Sequence, residues 1–269
     1  PGLSSAISYC QYLVATNELG IDSSKLLGSN LNDPYDSIFC GLGLHTQPLE
    51  IQTRLSCDLT VYARRHTPRW YTPVLVGFNQ REAGVDAIHE LAFVFSKACD
   101  YIDTVLDRGL SIDDFTSRFA VHLYSGVDLF EEVAKFRAAR RIWAKLLKRY
   151  GPKNPSSYKL TLGSYMGGSS LTKEQPLNNI ARVTLGALSA SLGGVQTIFL
   201  PCYDEAYALP TELSQRTSLR VQQIIAYESG TPKVIDPLGG SYYVEHLTNE
   251  IEREVFALMN KIESMDGFE

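Results

Sequence analysis

The chain has 269 residues, of which 44% are hydrophobic and 20% are charged, and its formal net charge is −5. This apolar content is enough to bury a sizeable core, which excludes a disordered protein, and α/β barrels of this length commonly form one domain. The mild acidity argues against a nucleic-acid partner or an anionic membrane surface, and no apolar run approaches the roughly 20 residues that span a bilayer.

Apolar residues at helical spacing alternate along the chain with shorter runs that are typical of strands. The predicted helices span residues 4–19, 49–65, 85–106, 128–150, 176–192, 211–227 and 247–262. The predicted strands span residues 26–31, 73–78, 118–124, 158–162 and 195–200. Because most of these strands are separated by one helix, the order predicts βαβ units and a parallel sheet.

This order favours an α/β fold of the (β/α)8 TIM-barrel type, with residues 1–269 in one domain. A closed barrel needs eight strands, and the sequence provides about five. A five-stranded piece would expose two unpaired edges, so we expect the barrel to be incomplete at its N-terminal end. An open parallel sheet is the alternative.

The cysteines are widely spaced and never form a CxxC pair; they are Cys10, Cys40, Cys57, Cys99 and Cys202. An odd, scattered set is typical of small buried side chains in a reducing compartment, rather than of disulfides or a zinc site. We therefore expect a cytoplasmic protein with free cysteines.

Polar residues recur in the loops after the predicted strands, at residues 78–84, 122–126, 163–172 and 201–205. In parallel α/β folds these loops meet at the carboxyl ends of the strands, where ligands bind. The pattern predicts a ligand site at this edge, although Arg81 and Glu82 can also form an ordinary ion pair in a first helical turn.

Two further features have plain structural interpretations. The glycines and serines of 167–170 resemble a phosphate-binding loop but lack its lysine, so we favour a flexible turn over a phosphate site. The basic residues of 137–148 can form a solvated helix face that pairs with Glu131 and Glu132.

His122 alternates with Arg118 and Ala120 along a predicted strand, so the three side chains should point to one face. Inside a barrel that face lines the lumen. A histidine that packs in the core for structural reasons is the alternative. The remaining histidines show no spacing that suggests a metal site.

Several ordered motifs coincide along nearly the whole chain. They are Arg81-Glu-Ala-Gly84, Phe136-Arg-Ala-Ala-Arg-Arg-Ile-Trp143, Ser170-Leu-Thr172, Asn178-Asn179, Tyr203-Asp-Glu-Ala206, Ala208-Leu-Pro-Thr211 and Asp236-Pro-Leu-Gly-Gly-Ser-Tyr-Tyr-Val-Glu245. In this set the sequence resembles the adenosylcobalamin-dependent acyl-CoA mutases, and among them the large subunit of methylmalonyl-CoA mutase.

The resemblance implies a TIM barrel that is threaded by the pantetheine arm of coenzyme A. It also implies radical isomerisation in a closed, dry cavity, with adenosylcobalamin as the cofactor. The cobalamin-binding DxHxxG pattern is absent from this sequence. The resemblance therefore implies that a separate cobalamin-binding domain or small subunit holds most of the cofactor, within a homo- or hetero-oligomer.

Five residues match positions with known tasks in that family. Arg118, Gln196 and Ser29 match residues that contact coenzyme A, and Arg118 matches the arginine at its phosphates. Glu205 matches the glutamate at the adenosyl ribose, and Glu82 matches another acid near the cofactor. The resemblance thus implies intact coenzyme A and cofactor contacts.

The reacting end departs from the family pattern. Phe78-Asn79 replaces a tyrosine-histidine pair, so a hydroxyl and an imidazole are both lost. Tyr165 replaces a glutamine, Gly163 replaces a histidine, and residues 199–201 replace expected polar residues. We expect Asn79, His122 and Tyr165 to supply the catalytic polar contacts at the thioester carbonyl, with Phe78 in the substrate wall.

The family's arginine for the methylmalonyl carboxylate would fall near Gly41, and residues 38–44 contain no arginine. Burying that carboxylate without a cation costs several kcal/mol. We therefore expect an acyl-CoA mutase whose substrate is less charged than methylmalonyl-CoA, either branched or hydroxylated. The alternatives are an inactive subunit that scaffolds or regulates an active mutase, and an unrelated TIM-barrel hydrolase or aldolase.

Overall fold

A computed structural model describes residues 3–36, 48–265 and 267. The helices are α1 (Leu3–Glu18), α2 (Leu49–His66), α3 (Phe78–Glu82), α4 (Ala87–Asp107), α5 (Ile112–Phe115), α6 (Leu129–Leu147), α7 (Asn178–Leu192), α8 (Glu212–Tyr227) and α9 (Tyr242–Glu263). The strands are β1 (Val74–Val76), β2 (Ala120–Ser125), β3 (Thr161–Met166) and β4 (Thr197–Phe199). Within the described residues, no helix is both long and apolar enough to cross a membrane.

The four strands form one parallel sheet in the order β1-β2-β3-β4. One row of the register joins Val76, His122, Gly163 and Thr197 across the sheet. The predicted α/β class and parallel sheet are confirmed. Closure into a complete barrel stays a prediction.

The segment 26–31 is not a strand, and this prediction is wrong. Its backbone forms a single parallel bridge, between Ser29 and Tyr71. Beyond the bridge, side chains take the place of a backbone partner: the N–H of Val74 donates to Asn32 and the N–H of Val76 donates to Asp33. Side-chain acceptors therefore satisfy the edge of β1 where a neighbouring strand would otherwise be needed.

Other boundaries differ from the predicted ones by a few residues. Residues 155–158 form a short 3-10 helix, so β3 starts at Thr161 and continues through Gly163 and Tyr165. Arg118 lies in a 3-10 turn before β2, so the expected alternation of Arg118 with His122 along one strand is wrong. Helix α9 starts at Tyr242, five residues before the predicted start at residue 247, because the preceding turn ends at Ser241.

The main core lies between one face of the sheet and helices α4, α6 and α9. Leu75, Val121, Leu123 and Leu162 point to this face and are fully buried. Since side chains alternate along a strand, the residues between them point to the opposite face. That opposite face carries the candidate site.

Helix α9 is fixed to α6 by ion pairs. The prediction that the basic residues of 137–148 pair with Glu131 and Glu132 is wrong, because Glu132 pairs with Lys135 and Arg81. The observed pairs are Arg137 with Asp236 and Glu245, Arg141 with Glu252, and Lys145 with Glu252. The basic face of α6 thus holds the C-terminal helix against the core.

The cysteines agree in part with the prediction. Cys57 and Cys202 are buried, Cys99 is half-buried, and Cys10 is exposed on α1. These four are free thiols. Cys40 lies outside the described residues.

Candidate functional site

Three aromatic rings are stacked across the carboxyl end of the sheet, on the face opposite the core. The Phe78 ring lies 4.2 Å from the Tyr165 ring at an interplanar angle of 8°, and the Tyr165 ring lies 4.2 Å from the Phe199 ring at 13°. Tyr165 and Phe199 are register partners on β3 and β4, and Phe78 follows β1 by two residues. We call Phe78, Tyr165, Phe199 and the adjacent His122 the aromatic wall.

His122 completes the wall from β2. Its ring centroid lies 5.3 Å from that of Tyr165 and 6.2 Å from that of Phe199. Burial lowers the pKa of the imidazole to about 4, so the ring is neutral at physiological pH. Its Nδ1 atom is buried and has no hydrogen-bond partner among the described residues. A buried, neutral and unsatisfied imidazole is a hydrogen-bonding group available to a ligand.

Gly163 makes room for this imidazole. A Cβ atom at position 163 would lie 2.4 Å from Cδ2 and 2.7 Å from Nε2 of His122. The two residues are register partners, which explains the contact. His122 therefore occupies the space that a side chain at position 163 would need, the position at which the resemblance implies a histidine.

Asn79 lies beside the wall but is turned toward an acid. Its Nδ2 atom is 3.0 Å from both carboxylate oxygens of Asp36, which is buried. The amide nitrogen expected at the thioester carbonyl is thus bonded to Asp36. Gly41, the position of the expected carboxylate-binding arginine, lies outside the described residues.

The two predicted cofactor acids flank a glycine loop at the same edge of the sheet. The carboxylate of Glu82 accepts hydrogen bonds from the backbone N–H of Ser169 at 3.1 Å and from its hydroxyl at 2.6 Å. A Cβ atom on Gly167 would lie 1.6 Å from Oε1 of Glu82, so this glycine is required by the close approach. A Cβ atom on Gly168 would be 3.8 Å from Cγ of Glu205, whose carboxylate is exposed.

The alternative interpretation of Arg81 and Glu82 as an ion pair is wrong. Arg81 pairs instead with Glu132, at 3.3 Å, and its guanidinium lies over the ring of Tyr124. This leaves both oxygens of Glu82 on the glycine loop. The loop of residues 167–170 is accordingly bound on one side by an acid, rather than being a free turn.

The predicted coenzyme A residues lie at the opposite, amino end of the strands. Arg118 precedes β2, and its Nη1 atom donates to the hydroxyl of Tyr71 at 3.2 Å. Ser29 is exposed and is bridged to the backbone of Tyr71, before β1. Arg118 lies four residues before His122, in the turn that precedes β2.

Gln196 also lies at the amino end, just before β4. Its Oε1 atom accepts from the N–H of Leu162 at 2.7 Å, and its Nε2 atom donates to the carbonyl of Gly194 at 3.0 Å. Both ends of the amide are therefore bonded to backbone. The geometry gives Gln196 a role in extending the sheet, and its contact with coenzyme A stays a prediction.

Two buried ion pairs, which were not predicted from the sequence, hold the carboxyl ends of β1 and β2. At β1, Lys97 donates to Asp33 at 2.6 Å and to the carbonyl of Val76 at 2.9 Å. Asp33 also accepts from the N–H of Val76. One lysine–aspartate pair thus satisfies both polar backbone groups of the last residue of β1.

The second pair repeats this arrangement at β2. Glu90 accepts a hydrogen bond from the N–H of Tyr124 at 2.6 Å. Lys135 donates to the carbonyl of Tyr124 at 2.7 Å and to the carboxylate of Glu90 at 2.8 Å. Burial opposes the charge of Lys135, but the carboxylates of Glu132 and Glu90 outweigh it and raise the pKa of this lysine. We call these two pairs the strand-end clamps. A lysine at an apolar-face position of a helix, such as Lys97 three residues after Val94, is the sequence signal that could have found them.

Comparison with known proteins decides the family, because residues 2–269 match the model of the methylmalonyl-CoA mutase family. The chain belongs to this family. It is 39% identical over 263 residues to the 2-hydroxyisobutanoyl-CoA mutase large subunit of Aquincola tertiaricarbonis, a match that covers 97% of this chain and 46% of that protein. The predicted resemblance is confirmed.

Two methylmalonyl-CoA mutases give similar values. The Rhizobium meliloti (strain 1021) enzyme is 36% identical over 256 residues, covering 95% of this chain and 36% of that protein. The mitochondrial enzyme of Bos taurus is 39% identical over 257 residues, covering 95% and 34% respectively. The chain thus spans less than half the length of these relatives.

The site of this methylmalonyl-CoA mutase family member fits the adenosyl part of its family's cofactor. A ribose presents hydroxyl donors, and carboxylates are their natural acceptors. Glu205 is exposed and forms no ion pair with any described residue, while the contact of Glu82 with Gly167 leaves no room for a side chain between that acid and the loop. These residues form a cradle with acceptors on two sides.

Proposed function

We propose that this chain is the acyl-CoA-binding part of an adenosylcobalamin-dependent acyl-CoA mutase, with a substrate whose acyl group carries no free carboxylate. Residues 1–269 then form one domain, the C-terminal part of a TIM barrel with the helices that follow. The observation that carries the proposal is the aromatic wall, with a neutral imidazole in the space opened by Gly163.

The two ends of the sheet suit the two ends of an acyl-CoA. Arg118 and Ser29 lie at the amino end, where a guanidinium and a hydroxyl can bind phosphate oxygens. The aromatic wall lies at the carboxyl end and suits an apolar acyl group. A ligand that joins an anionic tail to a short apolar head by an extended arm matches this separation.

The acyl end disfavours an anion. Its surface consists of three aromatic rings and an uncharged imidazole, and Asp36 already buries a carboxylate beside Asn79. Desolvating a second carboxylate there without a cation would cost several kcal/mol. A relative is named for the 2-hydroxyisobutanoyl group, which is branched, hydroxylated and uncharged. A group of this class suits the wall.

Each site residue then has a role. His122 donates a hydrogen bond to the thioester carbonyl as a neutral imidazole, since its charged form is disfavoured by burial. Burial also raises the pKa of Tyr165, so its hydroxyl keeps its proton and is a second donor. Phe78 packs against the acyl group, and Asn79 is oriented by Asp36 beside it.

Glu82 and Glu205 accept hydrogen bonds from the adenosyl ribose, and Gln196 contributes to the coenzyme A end. Adenosylcobalamin, when bound, supplies the radical that initiates isomerisation of the carbon skeleton. The apolar rings of the wall exclude water and stray hydrogen donors from the reacting carbon. A cobalamin-binding domain or small subunit completes the cofactor site, in a cytoplasmic homo- or hetero-oligomer.

The test is a substrate panel with the full-length protein, its cobalamin-binding partner and adenosylcobalamin. We expect isomerisation of 2-hydroxyisobutyryl-CoA or isobutyryl-CoA, and turnover of methylmalonyl-CoA at least about 100-fold slower, as a loss of about 3 kcal/mol implies. A His122→Ala variant should bind coenzyme A normally and lose turnover. Absence of isomerisation of every acyl-CoA, with cofactor bound, would refute the proposal.

An inactive subunit that scaffolds or regulates an active mutase is the second candidate. The observation that favours it is the amide of Gln196, which is bonded to backbone at both ends. Coenzyme A binding separates the two: a scaffold has no need for it, whereas the mutase requires it.

A further inference from the structure

Arg64 and Arg118 are two guanidinium groups at the amino end of the sheet that have no carboxylate partner in the described part of the chain. Arg64 lies in the last turn of α2, and Arg118 lies in the turn before β2. Both are half-buried, and neither forms an ion pair within the described residues. Residues 37–47 contain no aspartate or glutamate, so that segment supplies no counter-ion.

The two guanidiniums contact adjacent residues of one turn, since Arg64 donates to the carbonyl of Trp70 and Arg118 donates to the hydroxyl of Tyr71. Burial, together with the neighbouring charge of Arg118, lowers the pKa of the Arg64 guanidinium to about 10. Like charges in a partly desolvated environment repel each other, and an anion that binds between them offsets this repulsion. The arrangement therefore favours an anionic ligand.

Local contacts fix both guanidiniums while leaving donors available. Arg64 donates to the carbonyls of Pro68 and Trp70, and its Nε atom is buried without a partner in the described part of the chain. Arg118 lies over the ring of Tyr71, with its centre 5.1 Å from the ring centroid. The turn from Thr67 to Tyr71 thus orients both side chains.

We propose that Arg64 is the second cation of a phosphate-binding pair with Arg118, and that this pair binds the phosphates of the nucleotide tail of the substrate. The inference rests on the proposed function, because it takes an acyl-CoA as the ligand. Guanidinium groups suit this task because they donate two parallel hydrogen bonds to a phosphate. Ser29, bridged to Tyr71, is the neighbouring hydroxyl.

The competing explanation is structural: Arg64 serves only to hold the turn of residues 67–70 through its two carbonyl contacts. The two explanations differ in which ligand they affect. Loss of a phosphate contact weakens the binding of ligands that carry the phosphates, which are coenzyme A and its bisphosphate nucleotide. Loss of the turn weakens every ligand of the sheet, including a thioester of pantetheine, which has no phosphate.

The experiment measures affinity by isothermal titration calorimetry on the full-length protein, with coenzyme A, adenosine 3′,5′-bisphosphate and an S-acyl pantetheine. We expect R64M to weaken coenzyme A and the bisphosphate about 10- to 100-fold, the range for a hydrogen bond to a charged group, and to leave the pantetheine thioester unchanged. The matched control is R65M, which removes the adjacent, exposed arginine and should change none of the three. If R64M folds poorly, R64Q is used, and the ratio of coenzyme A to pantetheine affinity cancels any loss of folded protein.

The outcomes separate the two levels of the argument. The role of Arg64 is overturned if R64M binds coenzyme A with unchanged affinity, or if it loses affinity equally for coenzyme A and the pantetheine thioester. Either result leaves the proposed function intact. A wild-type protein that binds neither coenzyme A nor the bisphosphate overturns both.

Discussion

Replacement of His122 by phenylalanine isolates the energetic cost of the buried imidazole. Burial lowers the pKa of His122 from 6.5 to about 4. Between pH 6.5 and pH 4 the unfolded chain therefore binds a proton at this histidine, whereas the folded protein does not. Above pH 6.5 the imidazole is neutral in both states, and the free energy of unfolding has its full value. As the pH falls from 6.5 toward 4, protonation of the unfolded chain lowers this free energy. At about 1.4 kcal/mol per pH unit, the loss is about 3 kcal/mol.

The assay is urea unfolding of wild type and His122→Phe between pH 7.5 and 4.5, followed by the fluorescence of the buried Trp143. Phenylalanine keeps a ring in the wall and cannot titrate, so all other pH effects cancel in the comparison. Most of the 3 kcal/mol should therefore separate the two stability curves by pH 4.5, with the wild type falling faster. Parallel curves, or a His122 C2–H resonance that titrates near 6.5, would refute a neutral imidazole and its role at the thioester.

Two further predictions concern the clamps and the glycine loop. Lys135→Met leaves the buried carboxylate of Glu90 without its lysine and should destabilise the protein by about 3–5 kcal/mol in urea unfolding. Lys145→Met, at a half-exposed ion pair on the same helix, should cost less than about 1 kcal/mol, and equal losses in the two variants would contradict the clamp. Gly167→Ala should displace Glu82 from the loop and weaken the binding of adenosylcobalamin about ten-fold or more in an absorbance titration, since the charge-assisted hydrogen bond from Glu82 to the ribose is lost. A Cβ atom in the control variant Gly168→Ala meets no atom within about 3.4 Å, so this variant should bind the cofactor normally. Identical affinities in the two variants would count against the cradle.

The fold could be predicted where a local pattern decides the structure. Helices α2, α4 and α7 begin and end within about two residues of the predicted bounds, because apolar periodicity, caps and flanking glycines are local signals. Strand β3 was misplaced because Gly163 and Ser164 resemble loop residues in sequence. In the sheet, Gly163 is required by a neighbour 41 positions away, His122, which a local pattern cannot reveal.

The candidate site shows the same division. Phe78, His122 and Tyr165 do lie together, because each is near the carboxyl end of a predicted parallel strand. Phe199 appeared in the sequence only as a lost polar group, although it is the third stacked ring. The strand-end clamps were missed, since Lys135 and Glu90 are 45 residues apart and their pairing depends on how two helices pack.

The strand-end clamps separate the frame of the sheet from the chemistry of its rim. Both clamps, Asp33 with Lys97 and Glu90 with Lys135, form hydrogen bonds to backbone atoms of the strands. These bonds do not depend on which side chains β1 and β2 carry. Positions such as Phe78 and Asn79 can therefore change while the scaffold keeps its shape. Substitutions at the rim of the sheet therefore leave the contacts that hold its frame in place.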